Sequence, residues 1–411
     1  MADPTLRPNN VAVLVRLMAN DTDLAAPNPV TDAIPVEIDS LTRNSPWTTE
    51  QSNEATGTYV GGAPLVVGQP ATVGFRSRLK GAGAGVAYTA LVKPPLHAAI
   101  QACGWRGQFR AAIASALVSA GTSGTATLAN TFPATNRALN GVPLQITAGV
   151  GVGGRPLVID YDATRLALLS DNFDPPLDAT TSIGMPAHWS YAGTSPVDAA
   201  ARAVDHPMVI VYIYRDGVLW KYTHCRGLLT ADGATAKPGY GAFTFSGIFA
   251  GREDAAVPAT LVVANHLAPT LVQGSARLPA VLLNRRPIAI STWSLDAGTQ
   301  TTSPADPNTT YGFGAGEISE RIPLLKLDPL ATQVATRDVI TDIGVGSTYQ
   351  AVLRHGSQAG NSWSLTLPRV QPVAEEDGTR DKLLSEQLQL QALSAGRDAV
   401  GRDSDRILAF W

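Results

Sequence analysis

Glycine and proline recur along the whole chain, and they limit the length of any regular element that it can form. The 411 residues include 38 Gly and 29 Pro. Between these breaks, apolar and polar residues alternate with a period of two more often than they follow helical spacing. In the stretch YGAFTFSGIF, Phe243 and Phe245 fall on one face of an extended strand. The sequence therefore predicts a mainly β protein.

Strand patterns outnumber helical ones. Predicted helices begin at Pro95 and at Pro329, and an Ala-rich one covers residues 110–118. At Pro329 we expect Asp328 to cap the helix, because its carboxylate can accept bonds from the free N–H groups of the first turn. The predicted strands cover residues 34–38, 71–79, 208–214, 218–224, 240–249, 288–295, 348–353, 362–367 and 383–392.

Composition indicates a globular protein without a strong charge. Hydrophobic residues make up 45% of the chain and charged residues 16%, which predicts a sizeable core spread over about two or three domains. The 31 basic and 34 acidic residues leave a net charge of −3, which argues against a basic field that holds nucleic acid. No apolar run approaches the ~20 residues that span a bilayer, so we expect no membrane anchor and no signal peptide.

The two cysteines, Cys103 and Cys225, are too few for a disulfide framework or a four-thiolate zinc site. This count fits a reducing cytoplasm. We expect both to be buried thiols, because free cysteine is among the most buried residue types.

Three pairs of similar segments occur in the same order in the two halves of the chain, which predicts a tandem duplication. The pairs are FRSRL (75–79) with ISERI (318–322), PLHAAI (95–100) with PLATQV (329–334), and IYRDGVLWKYT (213–223) with VLRHGSQAGNSWSLT (352–366). The predicted organisation is an N-terminal arm at 1–30, a first module at 31–258 with an insertion at about 119–204, a linker at 259–286 and a second module at 287–411.

Arg-His-Gly around His355 resembles the active-site motif of histidine phosphatases. That family needs a second essential histidine downstream, and none follows His355. In the repeat, Asp216 takes the same place, and Asp-Gly between alternating strands is a strong hairpin signal. We therefore predict that His355 is a turn residue and no nucleophile.

Two other motifs each lack a required feature. Gly149, Gly151 and Gly154 have the spacing of a dinucleotide-binding loop, but a strand-like stretch follows where that loop needs a helix. An EF-hand-like ligand spacing is formed by Asp306, Asn308, Thr310 and Glu317. However, Tyr311 stands where the sharp turn of that loop needs glycine.

For two further pairs of neighbouring residues, a structural role is a better explanation than a catalytic or metal-binding one. Asp160 and Asp162 fit the edge of a strand. His224 and Cys225 are neighbours on a predicted strand, so their side chains point to opposite faces and cannot form a nucleophile–base pair. We expect no catalytic, cofactor or metal site, and no enzyme activity.

Longer stretches of the chain resemble the major tail tube protein of long, non-contractile-tailed bacteriophages. The first are PWTTEQSNEATGTYVGGAPLVVGQPATVGFRSRLKGAG, PPLHAAIQACGW and YRDGVLWKYTHCRGLLTADGATAKPGYGAFTFSGIF. The resemblance continues in YGFGAGEISERIPLLKLDPLATQVATRD, GNSWSLTLPRVQ, EDGTRDKLL and the C-terminal RILAFW. The insertion lies outside it.

The resemblance implies two tandem β-sandwich or barrel modules, each with a short flanking helix. Proteins of that family form rings that stack into a tube for DNA ejection. With two modules per chain, a homotrimer would form a pseudo-hexameric ring; the alternative is a homo-hexamer. The implied partners are the tape measure, tail terminator and distal tail proteins, with viral DNA passing without specific binding. The implied location is the virion tail, after synthesis in the host cytoplasm.

On this resemblance, two long polar loops would stack the rings, and residues 1–30 would be an arm that orders on assembly. The loop candidates are Trp47, Thr48, Glu50, Tyr59, Thr302, Pro304, Asn308 and Tyr311. The strand residues expected to face the lumen or a neighbouring subunit are Arg76, Arg78, Glu317, Glu320 and Arg321. The alternative functions are a β-rich receptor-binding or adhesin protein or another virion structural protein, and then a hydrolase.

Overall fold

Antiparallel strands form most of the chain, which confirms the prediction of a mainly β protein. The computed structural model describes residues 5–261, 268–271, 274–275 and 278–411. The helices are short: α1 (His97–Ala102), α2 (Ala199–Asp205) and α3 (Val339–Val345). The strands are β1 (Val11–Leu17), β2 (Ala33–Ile34), β3 (Thr42–Arg43), β4 (Trp47–Glu50), β5 (Leu65–Gly68), β6 (Ala71–Arg78), β7 (Trp105–Arg110), β8 (Ile113–Leu117), β9 (Ala120–Gly121), β10 (Thr125–Thr127), β11 (Gln145–Ala148), β12 (Val158–Tyr161), β13 (Leu166–Leu169), β14 (Ser182–Met185), β15 (His188–Gly193), β16 (Val209–Arg215), β17 (Val218–Ala234), β18 (Tyr240–Asp254), β19 (Val281–Leu283), β20 (Arg286–Pro287), β21 (Thr292–Asp296), β22 (Thr299–Thr302), β23 (Glu317–Arg321), β24 (Leu324–Leu327), β25 (Tyr349–His355), β26 (Trp363–Arg380), β27 (Leu383–Ala392) and β28 (Ile407–Phe410).

One large connected sheet contains strands from both halves of the chain. Its inner face carries a continuous hydrophobic core that extends from Val13 to Phe410. Phe243 and Phe245 lie on the same face, as the alternation predicts, and their rings stack with centroids 6.2 Å apart. Phe75 on the neighbouring strand packs against both rings. Burial of such aromatic side chains removes a large apolar area from water and so stabilises this sheet.

The two halves repeat one arrangement of strand pairs. In the first half, β1 pairs with β16, β16 with β17, β17 with β18, β18 with β6, and β6 with β3. In the second half, β19 pairs with β25, β25 with β26, β26 with β27, β27 with β24, and β24 with β21. The helices follow the same order, because α1 comes between β6 and β16 and α3 comes between β24 and β25.

Each repeat begins earlier than predicted. Strand β1 lies within residues 1–30, the predicted arm, but it pairs with β16 along its whole length, and Leu14 is fully buried. Strand β19 lies within residues 259–286, the predicted linker, part of which falls outside the described residues. The first strand of each module therefore belongs to the sheet.

Only one of the three sequence matches joins equivalent elements. The segments at 213–223 and 352–366 contain equivalent antiparallel hairpins, β16–β17 and β25–β26. The segment at 318–322 overlaps β23, which pairs with β22 in a separate ribbon, so the counterpart of β6 is β24. Short apolar-Arg patterns recur in unrelated strands, which explains the false match.

Two of the three predicted helices are wrong. Residues 110–118 contain β8, because this Ala-rich stretch pairs with β14. The helix expected from Pro329 begins only at Val339, and the side chain of Asp338 caps it. Asp328 instead accepts hydrogen bonds from the backbone N–H groups of Ser291 and Thr292 at 2.7 and 2.8 Å, which tie β24 to β21.

The insertion is a small β unit with its own core. It contains β8 to β14 and packs around residues such as Leu139 and Val158. It leaves the large sheet after Arg110 and returns at His188, and these two residues face each other because β7 pairs with β15. Its limits are therefore about 111 and 187 rather than 119 and 204.

The insertion docks on the second module. Ile159 belongs to a small apolar cluster with Leu282 and Val352. Beside this cluster, the guanidinium of Arg354 donates to the carboxylate of Asp171 at 2.7 Å, and both side chains are largely buried. A buried charge needs such a partner, so this pair fixes how the insertion sits.

The C-terminal strand joins the large sheet between β15, which follows the insertion, and the second module. Strand β28 pairs with β26 on one side and with β15 on the other. The segment before it is held by buried charges: Arg402 donates to Asp398 at 2.7 Å, and the guanidinium of Arg406 lies over the Trp105 ring at 4.4 Å.

Replacing Asp171→Ala should lower the free energy of unfolding by about 3 kcal/mol, because it leaves the Arg354 guanidinium buried without its carboxylate. Urea unfolding followed by tryptophan fluorescence measures the loss. Asp160→Ala, which removes an exposed carboxylate of the same insertion, is the matched control and should cost less than about 0.5 kcal/mol. Equal effects of the two substitutions would contradict the docking role of Asp171.

Candidate assembly surfaces

The two modules are joined edge to edge. Residues 230–234, at the end of β17, pair antiparallel with β21, and Thr230 faces Asp296. Strand β21 in turn pairs with β24, so the sheet of the first module continues into that of the second. Backbone hydrogen bonds therefore link the modules.

Strands β3 and β26 each have an edge without a partner strand among the described residues. Strand β3 occupies in the first module the place of β21 in the second, but it pairs only with β6. Strand β26 pairs with β25 only up to Val370, and beyond that residue it pairs on one side, with β27. Unpaired strand edges are templates for pairing with another chain.

Sequence reasoning missed the second edge because it ended the strand at 367, before Pro368. Strand β26 continues through Pro368 and Pro372, and its register with β27 shifts just after Pro372. Proline within a sheet is confined to edges and bulges. The two prolines were therefore a signal for an edge strand.

The outer face at the module junction carries charges of both signs. The guanidinium of Arg76 pairs with Asp232 and lies 4.0 Å from the centroid of the Tyr240 ring. Burial raises the pKa of the Asp232 carboxyl, although Arg76 acts in the opposite direction. Lys326 and Glu376 of the second module line the same shallow depression.

The other residues expected to face a lumen or a neighbour have different surroundings. Arg78 is exposed and reaches Glu37 at 3.4 Å, and Glu320 is exposed. Glu317 pairs at 2.8 Å with the buried Arg226.

Arg321 lies in an internal network of charges. Its guanidinium pairs with Asp403 and with Asp405, and it also donates to the carbonyl of Thr194. Glu317 and Arg321 therefore connect parts of the same chain.

The two long polar loops meet each other. Each forms a two-stranded ribbon, β4–β5 in the first module and β22–β23 in the second. The Trp47 ring contacts the Tyr311 ring edge-on at 5.0 Å, and Tyr311 also contacts Phe249. Loop residues that were predicted separately are thus in contact.

The loops differ in how they are held. In the second loop, the backbone N–H of Gly314 donates to the Pro304 carbonyl, and the Asn308 side chain donates to Asp306 at 3.0 Å. The first loop projects from the molecule: Thr48 and Glu50 are exposed on β4, as is the tip, residues 53–61. Four apolar side chains in and beside this tip are exposed: Tyr59, Val60, Leu65 and Val66.

His355 is the last residue of β25 and is fully buried, so its prediction as a turn residue is wrong. The first hairpin has a two-residue turn at Asp216 and Gly217, both with positive φ, whereas the second has a loop over residues 356–362. The longer loop leaves His355 within the strand. Its imidazole stacks on the Trp363 ring with centroids 3.7 Å apart.

The remaining sequence motifs lie in the core or in turns. Cys103 and Cys225 are buried free thiols, as predicted, and burial raises the pKa of both. Gly149 and Gly151 have positive φ in a turn, and Asp162 accepts backbone hydrogen bonds within a turn. Across the part of the chain that the structure describes, no group of three or more His, Cys, Asp or Glu side chains is placed to hold a metal ion.

Acid should destabilise the fold through its buried histidines. Burial lowers the pKa of His355 to about 3 from 6.5, so the folded chain binds fewer protons than the unfolded chain between these values. Stability therefore falls as the pH falls below about 6.5. The substitution His355→Phe keeps a ring against Trp363 and removes this titration.

We expect the wild type to lose about 2 kcal/mol more than His355→Phe in its free energy of unfolding between pH 6.5 and 5. Urea unfolding of both proteins at pH 7, 6 and 5 measures the difference. His97, His188 and His206 have lowered pKa values for the same reason and titrate in both proteins, so they cancel. Equal losses of unfolding free energy in the two proteins would show that His355 does not contribute to the acid sensitivity.

No protein-family model matches the chain, and no curated protein matches its sequence. Among the described residues, no helix has both the length and the apolar character needed to cross a membrane.

Proposed function

We propose that the chain is a structural virion protein that assembles into stacked rings and forms the tail tube of a bacteriophage. One observation carries this proposal: two similar modules already join edge to edge through β17 and β21, and in the part of the chain that the structure describes, β3 and β26 each keep an edge without a partner strand. A contact that joins unlike edges can repeat from copy to copy and closes into a ring when the rotation allows.

The ring would be a homotrimer with six modules, or alternatively a homo-hexamer of chains. In the tail it would meet the tape measure, tail terminator and distal tail proteins. The mixed charges of Arg76, Asp232, Lys326 and Glu376, together with a net charge of −3, suit a passive conduit, because tight phosphate binding needs a dense basic surface. No catalytic step is part of this role.

Electron microscopy of the purified full-length chain over a range of concentrations tests the proposal. We expect rings or tubes with a central channel. A monodisperse monomer at high concentration would contradict it and favour the alternative, a β-rich receptor-binding protein or another virion component.

Stacking of rings should depend on the exposed apolar tip of the first loop. The double substitution Tyr59→Ser and Val60→Ser removes apolar area that has no cover within the chain, so we expect rings to persist while tubes are lost. The matched control, Leu117→Ser with Val204→Ser, removes exposed apolar residues elsewhere and should leave tube length unchanged. Tubes of normal length from the loop variant would contradict a stacking role for this loop.

A further inference from the structure

The counterpart helices of the two modules differ in how far they are covered. Helix α1 lies against β1, β17 and β7. Four of its six residues are buried: His97, Ala99, Ile100 and Ala102. Helix α3 lies against β26, and of its seven residues, all of which the structure describes, Val339 alone is buried. The second module therefore leaves most of its helix uncovered.

The difference follows from the segment that comes after each helix. In the first module, β7 begins at Trp105, contacts α1 and pairs with β15. In the second module, residues 346–348 lead from α3 directly into β25. No strand equivalent to β7 therefore follows α3 in the part of the chain that the structure describes.

The outward side of α3 carries no charged residue. Its four exposed residues, which we call the α3 face, lie within an arc of about 140° around the helix: Ile340, Thr341, Gly344 and Val345. The side chains of Ile340 and Val345 are 72% and 71% exposed. The one charged residue of the helix, Asp342, accepts a hydrogen bond from the Tyr349 hydroxyl. The solvent side of a surface helix is normally polar or charged, so this apolar face indicates a partner.

Gly344 is a second indication. Glycine destabilises a helix relative to alanine, because it loses more backbone freedom on folding. A methyl group on Gly344 would meet no atom within 4 Å, and its φ lies outside the left-handed region. Neither packing within the chain nor backbone conformation therefore requires glycine here. Glycine is also used where another backbone approaches closely, which fits a partner seated on this helix.

The position of α3 points to the partner. The position of a Cβ on Gly346, just after the helix, is 3.6 Å from the side-chain nitrogen of Gln371 on β26. Beyond Val370, β26 has the edge without a partner strand through which copies are proposed to join. We infer that the α3 face is buried against a second copy of this chain, whose backbone passes close to Gly344. The inference rests on the proposed function and deepens it, because it adds a side-chain contact to the strand edges.

The substitution Gly344→Ala separates a role in the fold from a role in the contact. At concentrations below assembly, it should raise the urea midpoint of unfolding, because alanine has the higher helix propensity. The added methyl group should nevertheless keep the second copy away and raise the concentration needed for assembly about tenfold. Sedimentation velocity over a range of concentrations measures this effect. Assembly at the wild-type concentration would contradict the close approach at Gly344.

The apolar side chains of the α3 face are tested together. Ile340→Ser with Val345→Ser should shift sedimentation from assemblies to the single chain, because the contact loses the apolar area that it buries. The matched control, Val197→Ser with Val204→Ser, changes two exposed valines in and before α2 and should assemble like the wild type. All four side chains are exposed, so both variants should fold, and urea unfolding checks this.

Thiol labelling shows whether the α3 face is covered in the assembly. Val345→Cys should react with a maleimide more slowly in rings than in the single chain, whereas Val197→Cys should react equally in both. The native thiols are buried and do not interfere. If microscopy shows rings but Val345→Cys keeps its full reactivity in them, or the Ile340→Ser, Val345→Ser variant assembles like the wild type, the α3 contact is overturned and the proposed function stands. If the wild type does not assemble, both are overturned.

Discussion

The pairing of β17 with β21 is the contact on which the two-module architecture depends. It uses backbone hydrogen bonds, so it tolerates differences in side chains between the modules as long as both edges stay extended. Because β17 continues past its own hairpin partner β16, its far end is available to the second module. The length of this strand therefore determines that two separate sheets become one.

Buried charges complete the arrangement around the C-terminus. Arg321 from β23 reaches Asp403 and Asp405, and Arg402 is neutralised by Asp398, so the last segment is fixed before β28 enters the sheet. These pairs join residues that are far apart in sequence. Their contribution is to position the segment, since buried ion pairs add little net stability but tolerate no loss of one partner.

Local patterns predicted the local structure well. The alternation around Phe243 and Phe245 depends only on neighbouring residues, and it located the strand and its buried face. The Ala-rich stretch at 110–118 was wrongly predicted as a helix. The helix propensity of alanine is a small effect, and pairing of this stretch with the distant strand β14 outweighs it. The free edge of β3 could not be predicted from sequence, because whether a strand is unpaired depends on partners far along the chain. At β26, Pro368 and Pro372 were the available signal. The burial of His355 likewise followed from a loop length that the repeat alone did not reveal.

The insertion between β7 and β15 has a consequence for symmetry. It occurs in one module only, so the two modules of a chain are equivalent in their strands and unequal in their surfaces. Any assembly built from whole chains would display this unit at alternate positions. In the proposed ring, the covalent link between two modules would make every second joint intramolecular, so no translational entropy would be lost in forming it, and half of the joints would exist in the single chain.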